Sequence, residues 1–207
     1  LFIEVSHGPT LVDNNIFLSD RALKLPTQGV AFVHNLIAGS MVAIGRGVNN
    51  GALTKISPRY TPYHVPHQTE IAGFMTFLHG DMRFYNNIFI QQKIRIELQK
   101  YLDSMGENEW DDNNLFTGTF PYENYPTWEE YEKQFEGYCG MGSAPSDRYY
   151  NPLPVWAKGN AYFNGAKAMS KENAVLDHEH AITISVEESN GKYAIKTNLK
   201  DYVEKLK

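Results

Sequence analysis

The sequence predicts a mainly all-β fold: a right-handed parallel β-helix carrying a long loop and helix insertion and ending in a terminal β-hairpin. Three observations predict it. A motif made of a polar pair ending in Asn, followed by an apolar triplet, recurs with its Asn at positions 15, 35, 87 and 160. A second strand series runs in phase with the first. Phe2-Ile3-Glu4-Val5 is matched by Ala22-Leu23-Lys24-Leu25 and by Met41-Val42-Ala43-Ile44, which spaces Glu4, Lys24 and Ala43 by 20 and 19 residues. Finally, no long stretch holds a 3.6-residue period through the repeats, which argues against a helical solenoid. Short strands at a period near 20 with Asn at the corners suit stacked β coils. Asn tolerates left-handed backbone angles, and stacked Asn side chains can hydrogen-bond from coil to coil. The competing architecture is a β-sandwich of short, turn-punctuated strands. The equal spacing of two independent series favours the coils.

Taken in order, coils are expected at about 1–44, 71–91 and 154–170. The first opens with Leu1-Phe2-Ile3-Glu4-Val5, a β-favouring run stopped by Gly8-Pro9. The motif copies are Val12–Leu18, Phe32–Ala38, Phe84–Ile90 and Val155–Phe163. Insertions are expected at about 45–70 and 91–153. The first is a polar, aromatic loop holding Arg46, Arg59, Tyr63, His64, His67 and Glu70, and stiffened by Pro58, Pro62 and Pro66. The second has a helical look at Gln92–Leu102. Further on, Thr127 reads as the N-cap of a helix, with Glu130 completing a capping box. A hairpin is expected at about 180–197, where Asn190-Gly191 is a strong turn signal.

Composition narrows the function. At 207 residues the chain is long enough for one large domain, and 42% hydrophobic residues can fill a core. A net charge of −5 with no basic stripe argues against nucleic acid. The apolar runs, such as Ile71–Leu78, are too short to span a bilayer. The single Cys139 excludes an internal disulfide and reads as a free thiol, which tilts the expected address toward the cytoplasm. The chain begins Leu-Phe-Ile without Met, so it is expected to be a piece of a longer polypeptide. Aromatic residues reach 13%, and such side chains serve sugar-handling proteins as stacking faces as well as filling cores.

The candidate catalytic residue is Glu4. A carboxyl set among Phe2, Ile3 and Val5 has its charged form disfavoured, as a proton donor requires. In stacked coils, equivalent positions lie about 4.8 Å apart. Retaining glycosidases need two carboxyl groups about 5–5.5 Å apart. An acid one coil before Glu4 would satisfy that distance. Lys24, one coil after, would act against proton donation. His7 follows on the turn and could contact a substrate hydroxyl or simply face solvent. His34 replaces an Asn in the repeat and so lies on a corner, packed or sugar-binding. Tyr63-His64-Val65-Pro66-His67 is the densest polar and aromatic cluster. Its two His lack partners at metal-ligating spacing apart from Glu70, so no metal is expected. Asp81 and Arg83 read as a local ion pair. There is no phosphate loop, dinucleotide fingerprint or Gly-x-Ser-x-Gly motif, and no cofactor is expected.

Three stretches carry a resemblance: Leu1–Pro9 with Val12–Phe17 after it, Thr61-Pro62-Tyr63-His64-Val65-Pro66-His67, and Asp81–Phe89. The chain resembles right-handed β-helix glycoside hydrolases of the kind represented by the family 120 β-xylosidases, over about the first ninety residues and again at Trp156–Gly165. The resemblance implies that Glu4 is the acid/base. It implies that the nucleophile is an Asp one coil earlier, about 20 to 24 positions upstream and outside this sequence. It also implies an upstream β-sandwich domain. The chain is then the C-terminal part of a catalytic domain that works with its N-terminal part on a small oligosaccharide, with His7, His34, Tyr63, His64 and His67 lining the sugar site. Self-association is left open. A polysaccharide lyase or pectinase-like enzyme and a non-catalytic carbohydrate-binding β-helix are the rival readings.

Overall fold

The computed structural model describes residues 1–42, 59–105, 115–137, 152–173, 175–177 and 180–205. Ala43, Arg46 and Cys139 lie outside them. The fold is mainly β. In chain order the elements are β1 (Thr10–Asp13), β2 (Ile16–Phe17), β3 (Arg21–Lys24), β4 (Gln28–Val33), β5 (Leu36–Ile37), β6 (Ser40–Val42), β7 (Arg59–His64), β8 (Ile71–Phe77), β9 (Gly80–Tyr85) and β10 (Ile88–Ile90). There follow α1 (Ile96–Met105), β11 (Leu115–Phe116), α2 (Trp128–Lys133), β12 (Val155–Lys158), β13 (Ala161–Phe163), β14 (Leu176–Asp177), β15 (Ile184–Ser189), β16 (Lys192–Thr197) and α3 (Leu199–Lys205).

Most strands belong to three sheets that the chain visits in turn. Sheet A has the order β11-β6-β3, sheet B β1-β4-β9-β12, and sheet C β14-β13-β10-β5-β2. Sheets B and C are parallel throughout. In sheet A, β3 and β6 are parallel and β11 runs antiparallel. Isolated bridges extend the pattern at both ends, Phe2 to Lys24 in the first rung, and Gly118 to Lys167 and Lys158 to Asn173 in the last. Each pass through A, B and C therefore adds one rung to the stack.

The rungs stack because alternate side chains point inward in register. Val30, Phe32, Met82 and Phe84 are fully buried on sheet B, as is Phe89 on sheet C. Phe32 pairs with Phe84 across one strand spacing, and their rings stack at 5.4 Å and 8°. Phe89 and Tyr162, likewise in register, stack at 5.1 Å and 11°. Strand spacing is close to an aromatic stacking distance, so registered rings pack without strain.

The corner between sheets B and C explains the recurrent Asn. Asn14, His34, Asn86 and Gly159 all hold positive φ, at 55°, 55°, 55° and 69°. Left-handed geometry favours Asn and Gly there. The next residue in each rung forms a hydrogen-bonded column. The backbone N–H of Asn15, Asn35 and Asn87 donates to the Oδ1 of Asn35, Asn87 and Asn160, at 3.0, 3.0 and 2.8 Å. The side-chain Nδ2 groups donate to the same oxygens. The column ends on a carboxylate. Asn160 Nδ2 donates to Glu172 Oε1 at 2.7 Å, and Glu172 Oε2 accepts from the Tyr162 hydroxyl at 2.5 Å and from Thr119 Oγ1 at 2.8 Å. Burial, with the Glu172 carboxylate adding to it, pushes the Tyr162 hydroxyl well above its ordinary range. A buried carboxylate is tolerable because its oxygens are hydrogen-bonded.

The elements outside the stack are smaller. β7 and β8 form an antiparallel hairpin, so residues 71–77 belong to an excursion and the coil resumes only at Gly80. The helix in the second insertion starts at Ile96, four residues after the expected Gln92. At α2 the capping box is present: Thr127 Oγ1 accepts from the Glu130 N–H at 3.1 Å, and Glu130 Oε2 accepts from the Thr127 N–H at 2.7 Å. We expect Thr127→Ala to cost about 1 kcal/mol in a denaturant melt, the usual value of a lost N-cap. No loss would mean that packing alone holds this turn. β15 and β16 pair antiparallel around Asn190-Gly191. Among the described residues, no helix is long and apolar enough to cross a membrane.

Candidate functional site

Glu4 lies on the first rung of sheet A, at the end of the stack. The Ile3 N–H donates to the Lys24 carbonyl at 3.0 Å, the Lys24 N–H donates to the Leu1 carbonyl at 2.9 Å, and the Val5 N–H donates to the Pro26 carbonyl at 2.8 Å. These bonds pair Phe2 with Lys24 and bring Glu4 abreast of Pro26. The expected phase of Glu4 with Lys24 is therefore wrong by two residues. The reason is the corner that follows. Eight positions separate Phe2 from Thr10, but only six separate Lys24 from Val30, the partner of Thr10. The two extra residues are absorbed between Val5 and Gly8, both at positive φ. The Lys24 ammonium stands over the Phe2 ring, 5.5 Å from its centroid. Alternation then turns Ile3 toward the core and leaves Glu4 exposed on the outer face.

His7 follows at the corner between sheets A and B, half-buried. This corner is tight: a Cβ on Gly8 would lie 2.3 Å from the Gly29 carbonyl oxygen, and one on Gly29 would lie 2.7 Å from the His7 carbonyl oxygen. Glycine is required at both because the rungs touch there through backbone. The corner also roots the β7–β8 hairpin. Ser6 O accepts from the Gln28 N–H at 3.1 Å, and Gln28 Oε1 accepts from the Leu78 N–H at 2.8 Å, directly after β8. Tyr63, His64 and His67 lie at the opposite, exposed end of this hairpin. Tyr63 packs across Gly73, and His64 Nδ1 lies 3.0 Å from the Thr69 carbonyl oxygen. His67 holds a positive φ of 60° in the turn.

His34 does not join this group. It follows β4, at the corner between sheets B and C, and its Nε2 lies 3.4 Å from Asn86 Nδ2 on the next rung. Gly29, which touches His7, sits near the start of β4. The five intervening residue steps place His34 about 16 Å from that corner. As expected it is a corner residue, filling with its φ of 55° the left-handed position that Asn14 and Asn86 hold in neighbouring rungs. The expected Asp81–Arg83 ion pair forms at 2.6 Å. Among the described residues, no three His, Cys, Asp or Glu side chains gather to hold a metal ion.

The end rung is incompletely covered. Its inward residues Ile3, Val12 and Phe17 are only partly buried, whereas Leu25, Phe32 and Ile37 behind them are 1%, 0% and 0% exposed. Leu1, Phe2, Leu11 and Ile16 are all about half exposed or more, at 49%, 56%, 64% and 53%. The outer edges of β1 and β2 carry no further strand among the described residues. Glu4 thus stands beside an open sheet edge. Sequence reasoning missed Glu172, whose burial depends on its place at the end of the Asn column. The signal available was a fifth rung with Val175 where the column would need Asn.

No family model and no curated protein matches this chain. A solved structure of XylC in complex with xylose is similar to it, at 34% identity over 94% of this chain and with a TM-score of 0.65. The chain spans only 26% of the length of that protein. At this identity the likeness covers sequence as well as fold.

Proposed function

We propose that this chain is the C-terminal part of the catalytic domain of a retaining glycoside hydrolase that releases terminal xylose from short β-xylosides. In this reading the rungs coil as a right-handed parallel β-helix, the hand that parallel strand crossovers adopt. The observation that carries the reading is the likeness to the xylose-bound protein across nearly the whole chain. The position of Glu4 supports it, on the outer face of the uncovered end rung. A strand added before this rung would lie about 4.8 Å away. An Asp on it, carried by the N-terminal part of the same polypeptide, would meet the carboxyl separation of about 5–5.5 Å that retention needs.

Glu4 protonates the glycosidic oxygen as the upstream Asp attacks the anomeric carbon, giving a covalent glycosyl-enzyme and releasing the aglycone. Glu4, now a carboxylate, takes a proton from water. The resulting nucleophile displaces Asp and frees xylose with its configuration retained. His7, at the same corner, and Tyr63, His64 and His67, on the hairpin rooted there, contact the sugar hydroxyls. The test follows the first-formed anomer by proton NMR during hydrolysis of xylobiose by the full-length protein. The β-anomer is expected first. Initial release of the α-anomer would refute the two-carboxylate geometry.

A further inference from the structure

A cleft of about 350 Å³ lies against the outer face of β12, far from Glu4. That volume falls within the range of roughly 300–1,000 Å³ typical of small-molecule sites. Trp156 lies on sheet B, three registered steps from Leu11 in the first rung, through Ala31 and Arg83. Three steps amount to about 14 Å along the stack. Glu4 is on sheet A, so the cleft is separate from its rung and from its face.

Three aromatic side chains line the cleft: Tyr85 and Trp156 from adjacent strands, and Trp128 at the start of α2 across from them. Each indole has a neighbour against its ring. The Arg83 guanidinium sits over Trp156 at 4.7 Å, and Tyr131 lies 6.0 Å from Trp128. Trp128 nevertheless stays 48% exposed. The polar side chains of the lining are Thr127, Glu129, Lys158, Lys171 and Asn173. The charges near the cleft are largely matched, since Lys171 pairs with Glu130 at 3.5 Å and Arg83 with Asp81. Aromatic faces with hydrogen-bonding groups in the same lining and little net charge suit a ligand that has an apolar face and a hydroxylated edge. A pyranose ring has both.

We propose that this cleft is a second carbohydrate-binding site, taking a neutral β-linked pyranosyl oligosaccharide on the faces of Trp128 and Trp156. Its ligand class rests on the glycosidase reading above. The site would hold a chain remote from the bond being cut, with Lys158 and Asn173 donating to ring hydroxyls.

The experiment titrates the full-length protein carrying Glu4→Gln, so that the ligand is not cut, with xylotetraose, following indole fluorescence and calorimetric heat, alone and with Trp128→Ala or Trp156→Ala added. Saturable binding is expected that weakens about tenfold or more in each Trp variant, as the loss of a stacking face implies. Trp128 is exposed, so its variant tests the site even if Trp156→Ala fails to fold. Absence of saturable binding, or an affinity that neither Trp variant lowers, overturns the proposal. Glu4-dependent hydrolysis by the full-length protein together with no binding here would remove this cleft and leave the glycosidase reading standing. Binding here with no Glu4-dependent hydrolysis would support the cleft and remove the catalytic assignment.

Discussion

Glu4→Gln in the full-length protein should lower hydrolysis of an unactivated xyloside by about 10² to 10⁴-fold, the usual contribution of a positioned proton donor. Gln has nearly the same shape and cannot donate a proton to the departing oxygen. The loss should therefore depend on the leaving group. An aryl xyloside whose phenolate leaves without protonation should form the glycosyl-enzyme at close to the normal rate. Its second step, which needs Glu4 as base, should then limit turnover. Added azide needs no base to attack the intermediate and should restore turnover, giving a β-xylosyl azide. Hydrolysis of xylobiose near the wild-type rate would remove Glu4 from the chemistry. The exposed position of Glu4 also makes a folding defect an unsuitable explanation for lost activity, and a melting curve matching the unsubstituted protein should verify this.

Glu172→Ala should be the most damaging single change to stability outside the large aromatic core. It removes the acceptor for Asn160 Nδ2, the Tyr162 hydroxyl and Thr119 Oγ1 together. Hydrogen bonds to a charged group are worth about 1.5–3 kcal/mol each. Each donor keeps one other contact: Asn160 with the Phe84 carbonyl, and Thr119 and Tyr162 with each other. Relief of a buried charge also offsets part of the loss. A net destabilisation of about 3 kcal/mol follows, read by urea unfolding. Glu172→Gln preserves the shape and a carbonyl oxygen facing Asn160, and should cost about 1 kcal/mol. An Ala variant as stable as the unsubstituted chain would show that the Asn column needs no terminal acceptor.

The Asn column was legible in the sequence because one residue type does one job at each B–C corner. Asn at 15, 35, 87 and 160 is selected by a geometry that few side chains satisfy, so the alignment survives insertions of any length between rungs. Sheet A was legible only in part. Its strands carry no such marker, and their phase depends on how many residues the following corner consumes. Two extra residues between Glu4 and Thr10 shifted the pairing of Lys24 from Glu4 to Phe2. The capping box at Thr127 was legible because it is local. The β7–β8 hairpin was not, since Pro58, Pro62 and Pro66 read as a stiff loop, yet Pro62 falls within β7, where it pairs with Phe74. An isolated two-stranded hairpin of this kind admits Pro because its strands are edges. The aromatic cleft was illegible for another reason. Trp156 and Trp128 are 28 positions apart and meet only through the return of the chain across sheet B.

The one-way donation along the Asn column gives the stack a head and a tail. Asn15, Asn35 and Asn87 hand the backbone N–H and one Nδ2 proton toward the Glu172 end, while the other Nδ2 proton of Asn35, Asn87 and Asn160 goes back to a carbonyl of the rung before, and the column stops on Glu172 Oε1. The opposite terminus offers the Asn15 side-chain Oδ1, at the place where Asn35, Asn87 and Asn160 each accept an N–H from the rung before. A segment presenting a carbonyl there would meet oxygen with oxygen. A corner amide N–H laid on that end, the side where Glu4 stands, would continue the donation to Oδ1 in the same sense.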